Sequence, residues 1–222
     1  MKKPDVVTLL KLLIGAYGDR NWTKRLEPVS ELILTILSQN TSDINSHRAF
    51  KSLTGSSHNW EKIAGWETGK IAGAIRAGGL ADVKARYIKQ VLQALQKETH
   101  NFDLGFLAQM PVNEARQWLI RLPGVGMKTA SCVLLFSLGM PAFPVDTHVY
   151  RVAKRLQLVS DKTNVEAAHL ILEKMVKPAD IYRMYVLMIE HGRKTCKAQR
   201  PLCADCTLKN ICPSYSIFMG TA

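Results

Sequence analysis

Asn113-Glu114-Ala115-Arg116-Gln117-Trp118-Leu119-Ile120-Arg121-Leu122-Pro123-Gly124-Val125-Gly126-Met127-Lys128-Thr129-Ala130 is the stretch that decides the fold. A helix ends, a tight Pro-Gly-x-Gly turn follows, and a second helix starts. Two glycines two residues apart allow positive φ and leave backbone N–H groups uncovered by side chains. Those groups sit at the N-terminus of the second helix, where the macrodipole also favours an anion. The unit reads as a helix–hairpin–helix, and its natural ligand is a DNA phosphate, a contact that fixes register without reading sequence. The plainer alternative is a glycine-rich helix connection with no further purpose. The Leu-Pro-Gly-Val-Gly-x-Lys-Thr-Ala string is more specific than that.

Outward from this stretch, nearly every segment reads as helix. Val6 to Tyr17 carries Val7, Leu10, Leu13, Ile14 and Tyr17 at helical spacing. Pro28-Val29-Ser30 opens a second helix, with Ser30 as its expected N-cap and Glu31 in its first turn, running to about Gln39. Asp43 is expected to cap the next one, which contains Ile44, His47, Ala49 and Phe50. Further helices are expected at 60–65, 68–77, 82–98, 113–120, 127–138, 146–157, 163–175 and 179–190. Alternating β-branched runs are absent, and no repeat or low-complexity tract interrupts the pattern. Composition shifts at Gly139-Met140-Pro141 and again at Lys194, and neither place looks like a flexible linker. Tyr150, Tyr182, Tyr185 and Trp118 lie at helical spacing among aliphatics and are expected in the core.

Lys128 falls in the first turn of the second hairpin helix, where a cation is electrostatically disfavoured. That favours a free amine, the nucleophile that forms Schiff bases. The alternative is a lysine that adds charge against the phosphates. Asp146 follows 18 residues later, in Phe143-Pro144-Val145-Asp146-Thr147-His148. One helix and a Gly139/Pro141 turn intervene, so the chain can fold back and bring the carboxylate near Lys128. Asp146 also reads as a helix N-cap, a role compatible with stabilising positive charge on a sugar ring or keeping the nucleophile unprotonated.

Four of the five cysteines, Cys196, Cys203, Cys206 and Cys212, are spaced C-x6-C-x2-C-x5-C, as in a cage for an iron–sulfur cluster. Zinc is the alternative, but zinc ribbons usually show two C-x2-C knuckles and this chain has one. An odd cysteine count with four crowded together argues for metal ligation in a reducing compartment and against a secreted disulfide framework. Cys132 lies in an apolar run and reads as a buried thiol.

The chain has 222 residues, 47% of them hydrophobic, enough for one domain or two small ones. Its 30 Lys+Arg against 18 Asp+Glu give a net charge of +12, which fits a polyanion partner. No run is long enough to span a membrane, and Asp5 and Lys11 interrupt any signal-peptide pattern at the start. The expected setting is cytoplasmic, prokaryotic and nucleoid-associated.

These residues resemble the helix–hairpin–helix DNA glycosylases, most closely the endonuclease III branch. The resemblance runs from about Val6 to Cys212. It rests on Leu122 to Ala130, on Val145-Asp146-Thr147-His148 with Arg151, on His191-Gly192-Arg193, and on the cysteine intervals. It implies an all-α fold of two helical lobes with a DNA-binding cleft between them. One lobe would be a helical barrel over 27–138 bearing the helix–hairpin–helix at about 113–138. The other would comprise 1–26 plus 139–222, with a 4Fe–4S loop over 196–212 held by Cys196, Cys203, Cys206 and Cys212.

The implied activity is excision of oxidised pyrimidines from duplex DNA by a monomer, after the damaged nucleotide is flipped into a pocket. Lys128 would attack the sugar carbon, release the base and form a Schiff base, and β-elimination would then cut the strand at the abasic site; Asp146 would assist. The resemblance gives Gly124, Val125, Gly126 and Thr129 to the phosphate grip. Leu80, after Gly78-Gly79, would be the wedge beside the flipped base, or else ordinary loop packing. Best-known members carry glutamine where this chain has Asn40, so either Gln39 or Asn40 would fill the gap left by extrusion. Lys197 and Arg200, with Lys194 and Lys209, would make the cysteine loop a basic DNA-backbone contact rather than a redox catalyst. His148 and His191 are expected to satisfy helix ends rather than to transfer protons. Alternatives are a same-fold glycosylase for alkylated or mismatched bases and a non-catalytic DNA-binding iron–sulfur protein. An adenine-mismatch enzyme is disfavoured by the short stretch after Cys212.

Overall fold

The computed structural model describes residues 3–55 and 58–220. Met1, Lys2, Thr221 and Ala222, assigned above to the second lobe, and Ser56 and Ser57, assigned to the barrel, lie outside the described residues. Among the described residues the secondary structure is helical throughout, without strands, as the sequence leads one to expect. No helix there is long and apolar enough to cross a membrane.

The chain opens with α1 (Val6–Tyr17), capped by Asp5, whose carboxylate accepts from the Thr8 N–H. Then come α2 (Pro28–Ser38), α3 (Asp43–Thr54), α4 (Trp60–Ala64), α5 (Thr68–Ala74), α6 (Ala81–Thr99), α7 (Val112–Ile120) and α8 (Met127–Leu138). It continues with α9 (Thr147–Arg155), α10 (Val165–Met175), α11 (Ile181–Lys194) and α12 (Tyr215–Met219). Two compact units result, one from Lys24 to Met140, the other joining the segment up to Thr23 with the segment from Pro141 onward. The sequence boundaries, 26/27 and 138/139, differ from these by two or three residues.

In the first unit, α2 is buried on all sides from Pro28 to Leu37 and packs on α8, itself buried from Thr129 to Ser137. α2 carries polar groups into this core as well: Ser30, Glu31 and Thr35 are buried, with Glu31 paired to Arg25 and accepting from the Thr35 hydroxyl. α3 and α6 close over α2, and α4 and α5 lie against α6. The 19 residues of α6 bury Lys84, Ala85, Ile88, Val91, Leu92 and Leu95 along one face. In the second unit, α1 and α9 both pack on α11. The α9–α11 approach needs Gly192, because a Cβ there would sit 2.9 Å from the His148 Cβ.

Several local expectations are corrected. Ser30 does not cap α2: Glu27 holds that position, Pro28 starts the helix and Ser30 is buried inside it. Proline is preorganised for the first helical turn and sets the start earlier. Ser42, not Asp43, caps α3, its Oγ accepting from the Asn45 N–H at 3.3 Å. The helix expected over 68–77 breaks into α5 and a 3-10 turn at Arg76–Gly78. A 3-10 turn at Gly105–Gln109 and the short α12 had no recognised signal. Of the four aromatics expected in the core, Tyr185 is buried, whereas Tyr150, Tyr182 and Trp118 are half-buried. The Tyr150 hydroxyl donates to the Thr163 carbonyl, an apolar body with a polar tip.

Candidate functional site

The hairpin between α7 and α8 is held from the inside. Leu122 and Val125 are buried, and the Val125 N–H donates to the Leu122 carbonyl at 3.1 Å. Gly124 has φ +75°, and a Cβ there would fall 2.6 Å from Cγ of Tyr87, so no other residue fits. Gly126 is different. Its φ is −100°, which any residue adopts, and a Cβ there would meet nothing within 4 Å. Only one of the two glycines therefore needs its backbone freedom; the other leaves an exposed opening at the start of α8, whose first turn has no side-chain cap. Lys128 is half-buried in that turn, and Thr129 is buried. With Val125 and Thr129 turned inward, an anion at those positions meets main chain rather than side chain.

Two further segments of this unit carry predicted residues. Gln39 is half-buried and its Nε2 donates to the Gly124 carbonyl at 3.3 Å, joining the end of α2 to the hairpin. Asn40 is exposed and has φ +52°. Leu80 is 56% exposed with φ +48°, a left-handed conformation costing a non-glycine residue about 1–2 kcal/mol.

Asp146 belongs to the other unit. It caps α9, Oδ1 accepting from the Val149 N–H at 2.8 Å, which engages one carboxylate oxygen and leaves Oδ2. His148 accepts through Nδ1 from Arg151 at 3.2 Å. His191 is buried, and its Nδ1 lies 2.9 Å from the Tyr17 hydroxyl. Burial pushes the His191 pKa down to about 4, so its ring is neutral near pH 7.

The four cysteines line one pocket with Val152, Leu156 and Leu208. Burial raises the pKa values of Cys203, Cys206 and Cys212, and the neighbouring cysteines raise them further. Among the described residues, no three His, Cys, Asp or Glu side chains close on a point where a single ion would sit. Arg155 is the loop's main polar anchor. Its Nη1 donates to Cys196 Sγ at 3.3 Å and to the Lys197 carbonyl at 2.7 Å, and its Nη2 donates to the Ala198 carbonyl. Arg151, four residues earlier on α9, donates to the Cys196 and Gly192 carbonyls at 2.9 and 2.7 Å. Arg151 is among the residues that carry the resemblance, and Arg155 follows it only as an i, i+4 repeat of arginine. Lys197, Arg200 and Lys209 are exposed on the loop, and Lys194 pairs with Glu190.

Residues 33–178 match the model of the HhH-GPD superfamily of base excision DNA repair proteins. The chain is 36% identical over 191 residues to a DNA glycosylase-like protein of Arabidopsis thaliana, covering 86% of this chain but 62% of that one, less than two thirds of its length. Endonuclease III of Sulfolobus acidocaldarius is 33% identical over 186 residues, 83% of this chain and 81% of that one. Endonuclease III of Thermotoga maritima is 34% identical over 193 residues, 86% and 85%. A solved structure of a trapped endonuclease III–DNA covalent intermediate superposes with a TM-score of 0.85 at 28% identity over 99% of each chain. With the family model spanning the hairpin, Lys128 and Asp146, the chain belongs to the HhH-GPD superfamily of base excision DNA repair proteins.

Proposed function

We propose that the protein is a bifunctional DNA glycosylase and abasic-site lyase acting on oxidised pyrimidines in duplex DNA. The observation that carries this reading is Lys128, half-buried in the uncapped first turn of α8 immediately after the opening at Gly126. Main-chain N–H groups there suit a phosphate of the damaged strand, and the amine beside them is then close to the adjoining sugar. The amine attacks C1′ and the base leaves with the C1′–N bonding electrons. The leaving base takes up a proton and the bound amine gives one up; the C1′–O4′ bond then opens, O4′ is protonated, and C1′ becomes the carbon of an iminium. The iminium makes the C2′ proton acidic, and its loss expels the 3′ phosphate. Asp146, anchored through Oδ1, supplies a carboxylate for the positive charge that develops on the sugar. Asn40, exposed where Gln39 is turned to the hairpin, fills the vacated stack, and Leu80 wedges beside it.

Cys196, Cys203, Cys206 and Cys212 would hold a 4Fe–4S cluster. Four thiols lining one pocket, at C-x6-C-x2-C-x5-C spacing with a single C-x2-C knuckle, suit a multi-iron group better than zinc, whose ribbons usually show two such knuckles. The cluster would supply rigid cross-links and let the half-buried thiols ionise. Exposed Lys197 and Arg200 on the same loop give the DNA backbone a fixed basic surface.

The test is borohydride trapping on duplexes carrying thymine glycol or an abasic site. Covalent adducts with both, abolished by Lys128→Ala, support the proposal. Base release without an adduct overturns the lyase assignment, and binding without chemistry overturns the enzyme assignment.

A further inference from the structure

One side chain in the α2–α6 layer is out of keeping with its surroundings. Lys84 is 2% exposed in the first turn of α6, and both of its hydrogen-bond partners are main-chain carbonyls. Its Nζ donates to Leu37 at 2.7 Å and to Gly78 at 2.8 Å. Burying an ammonium without a carboxylate is costly, and burial lowers the Lys84 pKa accordingly. An aliphatic residue would fill the same space without that cost. The lysine differs in what it holds. Leu37 lies in the last turn of α2 and Gly78 ends the 3-10 turn, so both carbonyls belong to helix ends that lack intrahelical partners and carry partial negative charge. One ammonium caps both.

The two capped ends lead directly into the two exposed segments. Asn40 stands three residues after Leu37, and Leu80 two residues after Gly78. Both adopt left-handed φ, +52° and +48°, a conformation that persists in non-glycine residues only where the surroundings enforce it. Gly78 is also seated closely on α3, where a Cβ would meet the Ala49 Cβ at 3.1 Å.

We propose that Lys84 is a positioning residue that locks the Ser38–Asn40 and Gly78–Leu80 segments together, so that Asn40 and Leu80 enter the DNA stack as one tool. This rests on the reading of those two residues given above. Lys84 itself touches neither DNA nor the reacting atoms.

Lys84→Met keeps the stem and removes the donors. It is compared with the parent protein in two assays. One follows 2-aminopurine fluorescence in a duplex where that base faces a tetrahydrofuran abasic analogue, reporting stack penetration. The other traps adducts with borohydride on single-stranded abasic DNA, where there is no duplex to open. The expected result is a lost fluorescence rise and duplex excision slowed on the order of 10²-fold, with single-stranded trapping changed less than about twofold against that 10²-fold loss. Unchanged duplex excision and fluorescence, or equal losses in both assays, overturn the proposal. If Lys84→Met does not fold, Lys84→Gln, which keeps a shorter donor, is read by the same criteria. A parent protein that traps neither DNA refutes the lyase reading instead, and the fluorescence assay still decides the role of Lys84.

Discussion

The hairpin and the cysteine loop both offer main chain and positive charge at the surface, but they are shaped by different forces. The hairpin is an extension of the core. Leu122 and Val125 are buried beneath it, and the Tyr87 ring fills the space a Gly124 side chain would take. Between Thr195 and Ser214 only Leu208 is buried, and no helix forms. Arginine bonds to carbonyls and a shared pocket of thiols take the place of packing there. A turn built by packing keeps its shape alone, whereas a loop with so little buried surface depends on cross-links.

This contrast can be broken or sharpened by substitution. Lys128→Ala removes the proposed nucleophile from the hairpin, and abasic-site cleavage should fall by on the order of 10³-fold or more with the melting temperature unchanged. Asp146→Asn keeps a capping oxygen and loses the charge. Excision should drop roughly 10²-fold while stability stays within about 0.5 kcal/mol, whereas Asp146→Ala loses about 1 kcal/mol of stability as well. Gly124→Ala attacks the packed turn: a Cβ 2.6 Å from the Tyr87 ring at φ +75° should cost about 3 kcal/mol in urea denaturation. Cys203→Ser should abolish the visible absorption of the proposed cluster and make the loop sensitive to protease. DNA affinity should fall about tenfold, and Lys24–Met140 should remain as resistant as before. The smallest effect is expected for Lys197→Ala, which should flatten the salt dependence of binding by about 0.9 log units per log unit of salt.

The same contrast explains what could be read from sequence. The Pro-Gly-x-Gly spacing between amphipathic segments marked the hairpin, and cysteine intervals marked the loop, because each signal is local. Which glycine needs positive φ was not legible, since the answer lies in Tyr87, 37 residues away in the chain. Lys84 carries no sequence signal, because its partners are helix-end carbonyls that no sequence pattern reveals. Ser30 resembled a cap until Pro28 started the helix ahead of it. α12 is five residues long and keeps Ile217, Phe218 and Met219 exposed, so it had no buried face to betray it; Arg155 stacks on the Phe218 ring at 4.4 Å.

The fifth thiol has a consequence of its own. Cys132 is sealed within α8, 3% exposed, and belongs to the unit that does not contain the other four. If the quartet holds the proposed cluster, a folded chain therefore offers incoming iron four sulfurs and no decoy. An oxidant that arrives first is equally confined: any bridge it makes must join members of that quartet, so a reductant restores every ligand and no mispaired partner has to be undone.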